Sequence, residues 1–261
     1  MIRKLILRIF IGGAACALLA IGAATCAGLM AMSRPSFYSA ALDRTLSEAE
    51  ADAALDEIEL AIDALGLFIA TDAEQIAQLN ALPEEALADA KWGQRSAAGR
   101  LPEAIAALKG YSDDDFTKCS FRLSQRHIDS WLKKECGGGS KELRNPCVAL
   151  SDGLIKVAAT VATPVGDLVV SFDFELAQSD PADLCLELHA LRIGRLPLPA
   201  KTLLQQLVKL NPDLPAGFTL DLAQQRPRLH FTGVPREAKV WFEDLQVTDG
   251  ELLVSLRRVG A

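Results

Sequence analysis

Three histidines, four cysteines beyond residue 32 and one acidic run are the side chains whose types could do chemistry. His127 stands two residues before Asp129, His189 closes an alternating run that begins at Leu184, and His230 sits between Leu229 and Phe231. A histidine beside a carboxylate can serve as a general base or hold a metal ion. Two residues apart on a helix, however, the side chains point away from each other. None of the histidines has a neighbouring motif, and all three read as surface residues. The acidic turn Ser112 to Asp115 lacks the alternating ligands and terminal glutamate of a calcium loop. The chain contains no GxSxG, Walker-type loop, HExxH or GxGxxG. Catalytic residues, metal ligands and cofactors are not expected; a hydrolase with an unfamiliar constellation is the weakest of three functional readings.

Cys16 and Cys26 fall in an apolar N-terminal segment, leaving Cys119, Cys136, Cys147 and Cys185. Four cysteines outside the cytoplasm permit disulfides. Cys136 and Cys147 flank the flexible run Gly137-Gly138-Gly139-Ser140 and form the favoured pair. The opposing reading is that all four are reduced and buried. No CxxC or Cys/His ligand spacing is present, so structural zinc is not expected.

The N-terminal segment decides the compartment. Residues 9–32 carry no charge; as a helix these residues would span roughly 36 Å, enough to cross a bilayer's hydrocarbon core. Arg3, Lys4 and Arg8 precede it and only Arg34 follows closely, which places residues 1–8 in the cytoplasm and the rest outside. The expectation is a single-pass protein of the inner membrane. A cleaved signal peptide is the rival, since Ala23, Ala24 and Ala27 also suit one; a lipoprotein would require modification of Cys26, and Thr25 before it fits poorly. Beyond residue 32 stand 34 acidic and 24 basic side chains, a net charge near −10. Nucleic acid and anionic lipid headgroups are therefore not expected partners through bulk electrostatics.

These features need elements to position them. Residues 33–43 form a short proline-bearing linker, and 44–110 read as a helical region. Ser47 and Glu50 make a capping box, Leu55, Ile58, Ile62, Leu65 and Ile69 recur at helical spacing, and Thr71 with Glu74 offers a second box. Pro83 and Pro102 each precede a short helix. Ser124 caps a further helix with Ile128, Trp131 and Leu132 inside. The period then changes from 3.6 to 2: a four-stranded meander from about 147 to 193, a helix after Pro199, and about four more strands from Phe218 onward. The fold class is α+β: a transmembrane helix, a helical region, then in 111–261 a curved antiparallel sheet of about eight strands packed on helices.

Alternation of large apolar with polar residues demands that one sheet face be buried. A sharper reading leaves part of that face as a groove for an acyl chain, lined by Val170, Phe172, Phe174, Leu184, Leu186, Leu188, Phe218 and Leu220.

One segment carries a family likeness. Leu191-Arg192-Ile193-Gly194-Arg195-Leu196-Pro197-Leu198-Pro199, the helix from Leu203, Leu214-Pro215 and the closing strands around Asp249-Gly250 resemble the C-terminal half of the YpmS-like family of bacterial envelope proteins. The family motif LGxLPLP is matched by Gly194, Leu196, Pro197, Leu198 and Pro199, with Ile193 in place of leucine. The resemblance covers about residues 121–258, and the region 44–109 has no counterpart in it. It implies an architecture similar to tubular lipid-binding domains and hence an apolar ligand. In physical terms the motif is structural: Gly194 ends a strand, Pro197 removes a ladder donor and Pro199 starts a helix. Two functions follow as expectations. One is a non-enzymatic membrane-anchored module that binds or passes a lipid-like molecule; the alternative is an envelope scaffold whose acidic helical region binds a protein partner.

Overall fold

The computed structural model describes residues 30–44, 46–82, 101–137, 143–164, 166–177, 184–210, 218–231 and 240–259. The predicted anchor as far as residue 29, the helix after Pro83 and the glycine run at 138–139 lie outside them, as do the side chains of Cys136 and Phe218. Among the described residues no helix is long and apolar enough to cross a membrane.

The fold is α+β, with a seven-stranded antiparallel sheet packed with helices. After the short helix α1 (Ser36–Leu42) comes α2 (Glu48–Ala70), which starts where the sequence requires. The Ser47 hydroxyl accepts from the Glu50 backbone N–H, and the Glu50 carboxylate accepts from the Ser47 backbone N–H at 2.9 Å. The second capping box is shifted by one residue from the predicted one. Asp72 and Gln75 form it at the head of α3 (Ala73–Asn80), while the Thr71 hydroxyl donates to the Leu67 carbonyl and closes α2. The buried stripe of α2 also differs from expectation: Ala54, Ile58, Ala61, Ala64, Leu67 and Phe68 face inward, whereas Ile62 is exposed. Small alanines let a neighbouring helix approach closely, so the contact face follows residue size as well as hydropathy.

Helices α2, α3 and α4 (Leu101–Tyr111) cover a three-stranded sheet of order β1-β10-β9. Its strands are β1 (Lys118–Ser124), β9 (Val240–Thr248) and β10 (Glu251–Arg258). Phe68, Ile76, Ile105, Leu108, Phe121, Phe242 and Leu256 form this core. A single sheet of about eight strands was expected; two sheets are found. β1 pairs with β10 from Lys118↔Arg257 to Ser124↔Glu251, joining segments far apart in sequence.

The larger sheet has the order β2-β3-β4-β5-β8-β7, with β6 added beside β5. Strands β2 (Leu143–Ser151), β3 (Leu154–Thr163), β4 (Gly166–Ala177) and β5 (Leu184–Ile193) are the predicted meander. Asp152 (φ 56°) and Gly153 (φ 74°) make its first turn, the left-handed pair that a tight hairpin needs. β6 (Leu196–Leu198), α6 (Ala200–Leu210), β7 (Phe218–Asp221) and β8 (Arg228–Phe231) follow.

The two faces of this sheet are covered differently. Leu132 from α5 (Gln125–Gly137) and Leu204 from α6 join Val170, Phe172, Leu188, Leu191 and Ile193 in the inner core. Burying each large apolar side chain contributes about 1.5 to 3 kcal/mol. On the outer face α1 lays Tyr38 and Ala41 against Cys147, Ala158 and Val169. The Tyr38 hydroxyl meets Thr160 Oγ1 at 2.6 Å, and burial pushes its phenol pKa up. Helix α5 links the halves: Asp129 Oδ1 accepts from Val148 N of β2, and Gln125 Oε1 accepts from Leu150 N.

Candidate functional site

The motif turn does more than end a strand. Gly194 adopts φ +56°, and a Cβ there would come within 2.5 Å of the backbone carbonyl oxygens of Met30, Ala31 and Ser33. Glycine is thus required twice, for the left-handed backbone and for the close approach of another segment. That segment is the end of the apolar run 9–32. Arg195 N donates to the Met30 carbonyl at 2.8 Å, Arg195 Nε donates to the Arg34 carbonyl at 3.4 Å, and Gly194 N donates to the Val169 carbonyl at 2.7 Å. The chain emerging from the predicted anchor is therefore fixed to the sheet by one backbone hydrogen bond and one from the Arg195 side chain. The sequence placed Gly194 in a strand stop and did not anticipate its contact with residues 30–33, since nothing local signals a partner so distant in the chain.

Ala31, only 2 % exposed, belongs to the inner core of the large sheet, while Met30 and Met32 beside it are exposed. Of the expected groove residues, Val170, Phe172 and Leu188 are buried in that same core. Phe174 and Leu220 pack partly buried against it, the Phe174 ring stacking on Phe172 at 6.0 Å between centroids. Leu186 is half-buried. Leu184 packs instead against the core of the smaller sheet, so the expected lining is divided between two cores. Leu196 and Leu198 of the motif pack on the inner core beside Ala200 and Leu203.

Two of the histidines, His127 and His189, are more tied down than their sequence suggests. His127 Nδ1 accepts from the Ser124 backbone N–H while Ser124 Oγ accepts from His127 N, so the ring occupies the place of the glutamate in a capping box. Its Nε2 reaches Glu57 of α2 at 2.6 Å. His189 lies on the outer face, where its Nε2 meets the Glu175 carboxylate. Arg226 Nη1 approaches the same nitrogen at 2.7 Å and Glu187 Oε1 at 3.2 Å, and Arg228 Nε donates to Glu187 Oε2 at 2.9 Å. One ring nitrogen cannot donate to Glu175 and accept from Arg226 at once, so the tautomer selects one of these bonds. The bond from Arg228, joined by that from Arg226, holds the Glu187 carboxyl below its ordinary range. Glu175, Glu187 and His189 lie close enough to share a metal ion, but a divalent cation would have to displace the guanidinium groups. The donors are already occupied in an ion-pair network.

The acidic turn is a local device. Desolvation raises the pKa of the Asp113 carboxyl, but the Thr117 hydroxyl donates to Oδ2 at 2.5 Å, and Lys118 N at 3.1 Å and Thr117 N at 2.7 Å donate to Oδ1; together these bonds outweigh it and lower the pKa. Cys147 is a free thiol, buried at 2 % exposure, and burial pushes its pKa up to about 12. Cys119, also buried and free, is raised to about 12 in the same way.

Comparison with protein-family models, curated proteins and solved structures finds no match to this chain.

Proposed function

We propose that the chain is a membrane-tethered module outside the cytoplasm that binds or passes a lipid-like, apolar molecule at the cell envelope. The observation that carries this reading is the position of Ala31. It lies near the end of the uncharged run 9–32 and is buried in the same core as Val170, Phe172 and Leu188. If residues 9–32 cross the bilayer, the membrane interior runs without a polar break onto the inner face of the sheet. The half-buried side chains of Phe174, Leu186 and Leu220 extend that face. An apolar chain leaving the leaflet along this path would avoid exposure to water, worth roughly 0.8 kcal/mol for each CH₂ kept buried. The resemblance of residues 191–199 to the YpmS-like motif supports the same reading.

The hydrogen bonds from Arg195 to Met30 and Arg34 suit a module held at a fixed height above the membrane. A scaffold that recruits a protein through the acidic helical region is the alternative, drawing on the exposed Glu48 and Asp52 of α2. The buried side of that region is already used by its own core, so the first reading is preferred.

Lipid extraction and mass analysis of the full chain, purified from membranes in mild detergent, tests the proposal. A stoichiometric acyl lipid that is reduced in a Leu186→Glu variant of unchanged melting temperature is expected. Repeated recovery of lipid-free protein would overturn it.

A further inference from the structure

A cavity of about 380 Å³ opens beside the Gly194 turn, where the chain leaves residues 30–34. Ser36 and the adjoining residues form one wall, and Lys156, Asp173, Arg192 and Arg195 the other. Three cationic side chains thus face one carboxylate in a chain whose overall charge is −7. Lys156 is engaged: its Nζ donates to Ser151 Oγ at 2.7 Å and pairs with Asp152 at 3.0 Å. Arg192 Nη1 donates to Asp173 Oδ2 at 2.7 Å, and Arg195 is exposed.

Asp173 supplies the second observation. The residue is only 4 % exposed, and its Oδ1 has no hydrogen-bond partner. An unsatisfied buried acceptor is costly, the more so when charged; Oδ1 is itself closed off from solvent, so a ligand's donor reaches it once the Asp173 side chain turns towards the cavity. Arg192 and Arg195 offer N–H groups to an anion in the same space. The two demands describe one ligand: a phosphate ester that also carries an ammonium or hydroxyl group.

We infer that the cavity binds the headgroup of a glycerophospholipid, with the phosphate between Arg192 and Arg195 and the headgroup ammonium or hydroxyl donating to Asp173 Oδ1. This rests on the proposed function and names its ligand class. Ser36 lies four residues after Met32, within roughly 14 Å by chain reach, so the site would sit near the headgroup layer if residues 9–32 span the bilayer. Lys156, Asp173 and Arg192 stand on the outer face of the sheet, so the acyl chains would pass its end alongside residues 30–32 to reach the apolar inner face.

The test is native mass spectrometry of the full chain in detergent with phosphatidylethanolamine, phosphatidylglycerol or diacylglycerol, with soluble O-phosphoethanolamine or inorganic phosphate as competitors. Retention of the phospholipids at least about tenfold above diacylglycerol is expected. Arg195→Gln, an exposed change, should weaken retention about tenfold or more, the scale of one charge-assisted hydrogen bond. The double variant Arg192→Gln/Asp173→Asn removes the ion pair as a unit and should abolish the preference without stranding a buried charge. O-phosphoethanolamine should displace the lipid better than inorganic phosphate. Equal displacement by the two would overturn headgroup recognition in favour of a simple phosphate site. Equal retention of diacylglycerol, or no effect of Arg195→Gln, would overturn the inference while leaving the proposed apolar binding intact. Absence of every lipid together with Arg195-dependent binding of O-phosphoethanolamine would reject the lipid source and the proposed function.

Discussion

Replacing Gly194 by alanine should release the segment emerging from the apolar run. Gly194 has φ +56°, and an added Cβ would lie within 2.5 Å of three carbonyl oxygens from residues 30, 31 and 33. Gly153 is the internal control: its φ is +74°, but nothing lies within 4 Å of an added Cβ. Gly153→Ala therefore carries only the left-handed backbone cost, about 1 to 2 kcal/mol. Gly194→Ala carries that cost plus the displacement of residues 30–33. The latter loses the Arg195 N to Met30 bond, worth about 1 kcal/mol, and part of the burial of Ala31, about 1 kcal/mol more on the area scale. The expected totals are about 1 to 2 kcal/mol for Gly153→Ala and about 3 to 4 kcal/mol for Gly194→Ala. At roughly 2 to 4 °C per kcal/mol for a chain of this size, the melting temperatures should differ by about 4 to 8 °C. Limited proteolysis supplies a second readout, because only Gly194→Ala should expose cleavage at residues 30–36. Equal destabilisation by the two substitutions, with unchanged proteolysis, would refute the clamp.

Arg258 is 8 % exposed, donates through Nε to the Phe116 carbonyl at 3.0 Å and through Nη2 to the Phe68 carbonyl at 2.6 Å, and lies 4.3 Å over the Phe68 ring. Arg258→Met should cost about 2 to 4 kcal/mol in urea unfolding, because it strands two carbonyls, one in the last turn of α2. The Cys147 and Cys119 thiols, with pKa values raised to about 12 by burial, should resist iodoacetamide in the native chain and react on unfolding. Since the unfolded thiols ionise near 8.5 and the folded ones do not, the folded state binds more protons above that pH, and stability should fall as pH rises towards 12. Conversely, Glu187 is depressed in the folded state by Arg228 and Arg226, so its contribution is present above its unfolded value and lost as pH falls through the folded one. Glu187→Gln should flatten the acid limb of a stability profile recorded below about pH 4.5.

Local signals made much of the fold legible. The Ser47 and Glu50 box, the Asp152-Gly153 turn and the strand alternation from Val170 to Leu176 each act within a few residues, and each element forms where they indicate. Of the smaller sheet, the closing hairpin around Asp249-Gly250 forms where the alternation indicates, as β9 and β10, but β1 and the separation into a second sheet were not legible. β1 alternates Cys119, Phe121 and Leu123 with polar residues, a period-two signal overshadowed by the helix that follows, and its partner β10 lies about 130 residues away. His127 escaped because its acceptor, Glu57, belongs to another helix. The same reason hid the clamp at Gly194 and the cavity at Asp173, which assemble from residues 30–37, 156, 173 and 192–195. Within Leu184 to Leu188 simple alternation also misleads: Cys185 is fully buried and Leu186 only half-buried.

The most direct measurement of the proposed function is photo-crosslinking in intact membranes from a reactive side chain placed at Leu220, with an exposed control at Arg122 of the smaller sheet. Leu220 packs partly buried against the core that contains Ala31. The expected result is an adduct with the mass of an acyl lipid at Leu220 and none at Arg122. Adducts of equal yield at both positions, or adducts at Leu220 only with this chain's own residues, would contradict a lipid path along the sheet.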